Sequence, residues 1–231
     1  MDKVTARMLG LKARSAISQV DRKILSHNAS VIARKYLEDY LKSVSEMQHV
    51  NHNHHHNHRP RIAMTILGGY FPFKEELDCL QVLEDIRKDY ASQDRLILAL
   101  PKITDHKNKH MEFRTFPNLA SVELGKWNLT EPDPKLTDKV VPHICLIPMT
   151  SFDDNLNRVG LGGGFYDRFL RQHPNTHAVG IAFDVQKAVG DIQMEKTDVP
   201  LNAVITDKRL YLPKVELKVD NLTKKIANAS R

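Results

Sequence analysis

Short apolar runs separated by helix-length segments recur along this chain, and that alternation narrows the folds open to it more than any other property. Ile62 to Leu67, Leu96 to Leu100, His143 to Ile147, Ala178 to Phe183 and Ala203 to Thr206 read as strands. Lys74 to Tyr90 and Phe165 to His173 read as helices between them. Continuous apolar runs of this length suit strands covered on both faces, and helices in the connections supply the cover. The expectation is an α/β fold, one domain spanning residues 1–231 with helices layered around a mainly parallel central sheet. Its 231 residues suit a single core. Ahead of the sheet, Val20, Ile24, Val31, Ile32, Leu37, Tyr40 and Leu41 recur near helical spacing, which predicts a long N-terminal amphipathic helix over Gln19 to Lys42. The stretch from Thr104 to Lys139 is rich in Pro, Asp and Lys and is assigned to loops and short strands that cover a site.

No apolar run approaches the roughly 20 residues of a membrane span. The two cysteines, Cys79 and Cys145, lack the companion spacing of a disulfide framework or a zinc ribbon, and point to a reducing compartment. Six of the twelve histidines crowd into His49 to His58. No acid or cysteine there completes a metal's coordination, so the tract reads as a flexible polar insertion at about 45–60. The net charge of +6 suits an anionic partner. Aromatic and basic residues are not interleaved as in nucleic-acid binders, so the expected partners are small molecules, with no nucleic acid and no membrane.

One segment carries specific chemistry: Arg158-Val159-Gly160-Leu161-Gly162-Gly163-Gly164-Phe165-Tyr166-Asp167-Arg168. Four glycines in five positions, directly before a helix, let backbone amides converge on an anion at the helix N-terminus. A tight strand-to-helix turn alone could also need them. The segment has neither the GK[ST] ending of a P-loop nor the spacing of a dinucleotide fingerprint. Its decoration by Arg158, Asp167 and Arg168 fits a phosphate-rich ligand with Mg²⁺, since guanidinium, amide and carboxylate together meet both phosphate and cation.

As a unit the segment resembles the signature of the 5-formyltetrahydrofolate cyclo-ligase family, R-L-G-x-G-x-G-Y-Y-D-R-x-L. Other matches keep the family's order. Tyr70 to Asp78 is similar to Y-x-P-x-x-x-E-x-D, and Leu100-Pro101-Lys102 to L-P-K/R. Trp127 to Pro132, Phe152-Asp153, Gly180 to Phe183 with Gln186, and Asp198 follow in turn. Lys3, Arg7 and Arg14 fall near the family's basic ladder ahead of a helix. The likeness spans nearly the whole chain outside the histidine tract and the last twenty residues. Val159 stands for the usual Leu, and Phe165 for the first of two tyrosines, which removes a hydroxyl there.

The resemblance implies an ATP- and Mg²⁺-dependent ligase that closes 5-formyltetrahydrofolate to 5,10-methenyltetrahydrofolate, releasing ADP and phosphate after the formyl oxygen is phosphorylated. It assigns Glu76, Arg158 and Tyr166 to catalysis and Asp167 with Asp198 to the metal. ATP falls to Lys3, Arg7, Arg158, Gly160, Gly162, Gly163, Gly164, Phe165 and Tyr166. The folate falls to Phe71, Glu76, Trp127, Leu161, Gly162, Gly163, Gly164 and Phe165. As bare sequence, Glu75-Glu76 suits equally the first turn of a helix, and a lone Trp suits a core. A monomer in the cytoplasm is expected. The acid-poor, basic N-terminus also has the flavour of a mitochondrial presequence, set aside because cleavage would remove Lys3 and Arg7. The alternative function is a non-catalytic sensor of a phosphorylated metabolite or folate on the same fold.

Overall fold

The computed structural model describes residues 1–51, 64–90 and 96–214. In chain order the elements are α1 (Lys3–Ser15), α2 (Gln19–Asn51), β1 (Thr65–Gly68), α3 (Leu80–Tyr90), β2 (Leu96–Asp105), β3 (His110–Thr115), β4 (Val122–Leu124), β5 (Thr130–Pro132), β6 (Lys139–Val140), β7 (Ile144–Pro148), β8 (Ser151–Phe152), β9 (Arg158–Val159), α4 (Phe165–Gln172), β10 (His177–Ile181), β11 (Ala203–Ile205) and β12 (Leu210–Tyr211). Eight strands form one sheet in the order β12-β11-β10-β7-β1-β2-β3-β6. The five inner strands, β11 to β2, are mutually parallel, whereas β12, β3 and β6 pair antiparallel at the edges. The mixed α/β architecture with a mostly parallel sheet is the one its apolar runs predict.

Burial on both faces explains those runs. Along β7, Ile144 and Leu146 join the core under α2 and α3, while Cys145 and Ile147 join the core under α4. On β11, Ala203 and Ile205 face the first core and Val204 the second. Period-2 geometry thus sends an unbroken apolar run into two separate cores.

Three boundaries differ from expectation. The long helix is the second helix, preceded by α1, and runs on to Asn51. Its sheet-facing stripe is Ala29, Ala33, Leu37 and Leu41 at four-residue spacing, whereas Val20, Ile24 and Val31 are exposed. At Ala29 and Ala33 small residues take that face because they let the helix approach its neighbours closely. The rest of the histidine tract, residues 52–63, lies outside the described residues, as does the start of the first predicted strand. The helix expected from Lys74 begins only at Leu80. Lys74 takes a left-handed φ of 54°, and the Asp78 carboxylate accepts the Leu80 N–H at 2.8 Å, marking a later N-terminus. Among the described residues no helix is long and apolar enough to cross a membrane, and no group of three or more His, Cys, Asp or Glu could hold a metal ion.

The parallel strands follow the spatial order second, first, third, fourth, fifth. The chain leaves β1 in one direction for β2 and in the other for β7, so a crevice opens beyond the carboxyl ends of β1 and β7, where open α/β sheets bind ligands.

Candidate active site

A cleft of about 750 Å³ occupies that crevice, within the roughly 300–1,000 Å³ typical of small-molecule sites. Its floor includes Tyr70 and Phe71 just past β1, and Pro148 to Thr150 at the end of β7. The residues assigned to catalysis, ATP, folate and metal all line it: Lys3, Arg7, Phe71, Glu76, Trp127, Arg158, Gly160, Leu161, Gly162, Gly163, Gly164, Phe165, Tyr166, Asp167 and Asp198, whereas Arg14 of the basic ladder does not.

One end is built by the glycine turn. The β8–β9 hairpin delivers it, and the hairpin is organised by Asp153, a fully buried carboxylate. Its Oδ1 accepts the N–H groups of Asn155 and Asn157, and its Oδ2 accepts Asn157 Nδ2 and Ile192 N–H, all within 3.0 Å. Gly162 and Gly164 take φ of 99° and 67°, conformations that L side chains rarely adopt, and Gly164 hands the chain into α4. A Cβ at Gly160 would meet little, so the turn leaves room for a ligand against its backbone.

Charge is arranged around that turn. Arg158, its side chain only 4% exposed, donates from Nη2 to Asp167 Oδ1 at 2.9 Å. The same oxygen accepts the Val199 N–H at 3.2 Å, which places Asp167 beside the Asp198–Val199 peptide. Among the described residues Asp167 Oδ2 accepts no hydrogen bond. Arg7 Nε donates to the Gly160 carbonyl at 2.8 Å, and Lys3 pairs closely with Asp198. Helix α1 brings these two cations in. Asp2 caps it, accepting the Val4 and Thr5 N–H groups at 2.9 Å. Gly10 lies against Thr150, where a Cβ would stand 1.9 Å from the carbonyl oxygen.

Away from that turn the lining carries Tyr70, Phe71, Phe73, Trp127 and Leu129 with the carboxylates of Glu76 and Glu131. Glu76 lies in the loop ahead of α3, outside the helix, where its Oε2 accepts the Phe73 N–H at 3.0 Å. Burial pushes its carboxyl above the usual range, opposed by that N–H and by the field of Arg14. Tyr166 is pushed well above the ordinary phenol range, chiefly by burial, and so stays a neutral donor. Trp127 is 61% exposed, excluded from the core, and holds a left-handed φ of 58°. Its ring meets Phe165 edge-on at 6.2 Å and roofs the cleft mouth. The loop carrying it is tied by buried Glu131, which accepts the Ile103 N–H at 3.0 Å.

Sequence reasoning passed over several of these supports. Asp153 and Glu131 were visible only as letters of longer matches, and their roles come from burial. Arg171, Lys109 and Met149, unremarked in the sequence, also line the cleft, as does Arg168.

Known proteins resemble this chain in sequence and in fold. A 5-formyltetrahydrofolate cyclo-ligase of Escherichia coli K12 is 29% identical over 148 residues, 62% of this chain and 78% of the relative. The solved 5,10-methenyltetrahydrofolate synthetase of Aquifex aeolicus superposes with a TM-score of 0.66 at 21% identity, covering 95% of this chain and 97% of that one. The corresponding Mycoplasma pneumoniae structure gives 0.62 at 21% identity, covering 90% and 99%, and the two structures share the fold. The family model for 5-formyltetrahydrofolate cyclo-ligase matches residues 14–207, and the chain belongs to that family.

Proposed function

We propose that this protein is a ligase that converts 5-formyltetrahydrofolate to 5,10-methenyltetrahydrofolate at the expense of ATP, with Mg²⁺. The observation that carries the reading is a single cleft lined both by the glycine turn with Lys3, Arg7 and Arg158 and by Phe71, Glu76 and Trp127. A formamide oxygen is a poor leaving group. Once it is phosphorylated, the nitrogen at position 10 can attack the formyl carbon and expel phosphate, giving the methenyl bridge, ADP and inorganic phosphate. Phosphoryl transfer asks the protein for positioning and charge neutralisation rather than for covalent chemistry.

The residues divide accordingly. Gly160 to Gly164 offer backbone amides to the triphosphate at the start of α4, and Arg7, Arg158 and Lys3 neutralise it. Asp167 and Asp198 suit Mg²⁺, which takes one or two carboxylates and completes its shell with phosphate oxygens and water. The free Asp167 Oδ2 fits that use, while Lys3 holds Asp198. The ion would draw charge off the phosphate oxygens. Phe71, Phe165 and Trp127 would cover the pterin faces, Glu76 would accept from its N–H groups, and Tyr166 would donate toward the reacting oxygens.

The test is growth of the near-ultraviolet methenyl band from purified protein, 5-formyltetrahydrofolate, ATP and Mg²⁺, together with the Glu76→Gln variant. Product formation that needs both ATP and metal is expected. Glu76→Gln replaces an acceptor with a half-donor and is expected to lower kcat/KM by about ten- to a hundredfold, the loss of one charged hydrogen bond, with ATP affinity unchanged. Folded protein that binds folate or ATP without turnover would assign the chain to the sensor alternative instead.

A further inference from the structure

Among the described residues six cations line the cleft, and five of them are tied to the glycine turn, the start of α4 or the loop at 195–198. Arg7 donates to the Gly160 carbonyl, and Arg168 Nη1 to the Gly164 carbonyl at 3.3 Å. Arg158 holds Asp167, Lys3 pairs with Glu195 and Asp198, and Arg171 Nη1 donates to the Thr197 carbonyl at 3.2 Å. The sixth is Lys109. Its ammonium makes no hydrogen bond and no ion pair among the described residues, and the remaining carboxylates of the lining are engaged elsewhere. Glu76 accepts the Phe73 N–H, and Glu131 accepts the Ile103 N–H and faces Lys102.

The backbone brings Lys109 to the cleft at a cost. Strand β1 pairs with β2 only as far as Ala99, whereas β2 runs on to Asp105, so the β2–β3 hairpin projects beyond the carboxyl end of β1. Its turn is organised by Asp105, whose Oδ1 accepts the Lys107 and Asn108 N–H groups at 2.8 and 2.9 Å. Lys109 closes the turn with a left-handed φ of 58°. Glycine or asparagine takes such a position readily, and a lysine there carries backbone strain of the kind that gathers at ligand sites. The residue is half-buried and borders the cleft. His106 of the same turn meets the Trp127 ring edge-on at 4.2 Å, so hairpin and Trp127 form one rim.

A half-buried ammonium that meets no anion of its own chain is suited to one brought by a ligand. Of the two co-substrates, ATP carries its charge on the triphosphate, for which the glycine turn and its cations are already grouped. 5-Formyltetrahydrofolate carries its charge on the carboxylates of the glutamate, at the far end of the molecule from the pterin. We infer that Lys109 is a specificity-determining residue that receives a carboxylate of the reduced folate's glutamate tail at the rim it forms with Trp127. This rests on the folate reading above, and adds that this cation, rather than those around the glycine turn, reads the tail.

The experiment measures kcat/KM of full-length wild type, Lys109→Gly, Lys109→Asn and Lys109→Arg on 5-formyltetrahydrofolate and on its diamide, in which both glutamate carboxylates are neutral and the reacting groups are the same. Glycine and asparagine suit the left-handed backbone, so they remove the charge and keep the turn, and a urea midpoint equal to or above that of wild type checks this. Wild type is expected to prefer the acid to the diamide by about tenfold, as one charge-assisted hydrogen bond allows, through KM rather than kcat. The preference is expected to fall to about unity in Lys109→Gly and Lys109→Asn, to persist in Lys109→Arg, and to shrink as salt rises. A preference that both neutral variants keep overturns the inference and leaves the folate reading standing. So does a wild type that does not distinguish acid from diamide. A loss that falls on the KM for ATP instead assigns Lys109 to the triphosphate and likewise overturns it. A folded wild type that converts neither compound removes the folate reading and this inference together. If one neutral variant does not fold, the other carries the comparison with the same two outcomes.

Discussion

Asp167→Asn is expected to lower kcat by about a thousandfold while leaving the protein folded, and Asp167→Ala to lose both activity and stability. The separation follows from the two faces of the carboxylate. Oδ1 is structural, accepting from Arg158 and from the Val199 N–H, and the amide oxygen of Asn can take over both bonds. On the proposed function Oδ2 is the atom offered to the cation, and an amide nitrogen cannot ligate one. Losing a metal's charge at a developing phosphate costs several kcal/mol, and about 4 kcal/mol is the thousandfold loss. Alanine adds a second penalty, because buried Arg158 would be left with no acceptor at all, and breaking a buried pair typically costs about 3–5 kcal/mol. Urea denaturation with single-turnover kinetics separates the effects. Retention by Asp167→Asn of more than about a tenth of wild-type kcat, with the same Mg²⁺ dependence, would remove Asp167 from the metal site.

Gly10→Ala is expected to destabilise the protein by about 1–3 kcal/mol and to lower kcat/KM by about a hundredfold. In an ordinary helix interior the sign is opposite, Ala exceeding Gly by about 1 kcal/mol. Here the new methyl would stand 1.9 Å from the Thr150 oxygen and 2.8 Å from its carbonyl carbon. Backbone at the end of β7 cannot swing aside as a side chain would, so α1 must lift. Lys3, Arg7 and Arg14 then leave their positions together. Chemical denaturation and steady-state kinetics on one preparation check both effects, and a stabilised, fully active Gly10→Ala protein would show that α1 does not seat on Thr150.

The parallel core and the glycine turn were legible because each leaves a local mark. Two-sided burial writes an unbroken apolar run, and close backbone approach writes glycines. Helix α1 left a fainter one. Its buried side is Ala6, Gly10 and Arg14, while Val4, Met8 and Leu9 are exposed, so no apolar period announces it. The Asp2 cap was the signal available. The same reversal on α2, where Ala29 and Ala33 take the sheet and Val31 the solvent, shows that close packing can outrank hydrophobicity in choosing a face. Glu76 and Trp127 were legible as letters of a pattern but not as surroundings. Their settings depend on left-handed turns at Lys74 and at Trp127 itself, residue types that do not advertise them. Arg14 was indistinguishable in sequence from the other rungs of a basic ladder, because only burial separates a spare surface cation from one held out of water.

Three cations on one rigid helix, rather than on three loops, cannot respond independently. A displacement that moves Lys3 and Arg7 away from the glycine turn carries Arg14, near the other end of the same helix, with it. Whatever factor one co-substrate contributes to the other's affinity must then be returned equally, as thermodynamic linkage requires. On the proposed function, that helix is the lever through which two chemically unrelated ligands would register each other's arrival.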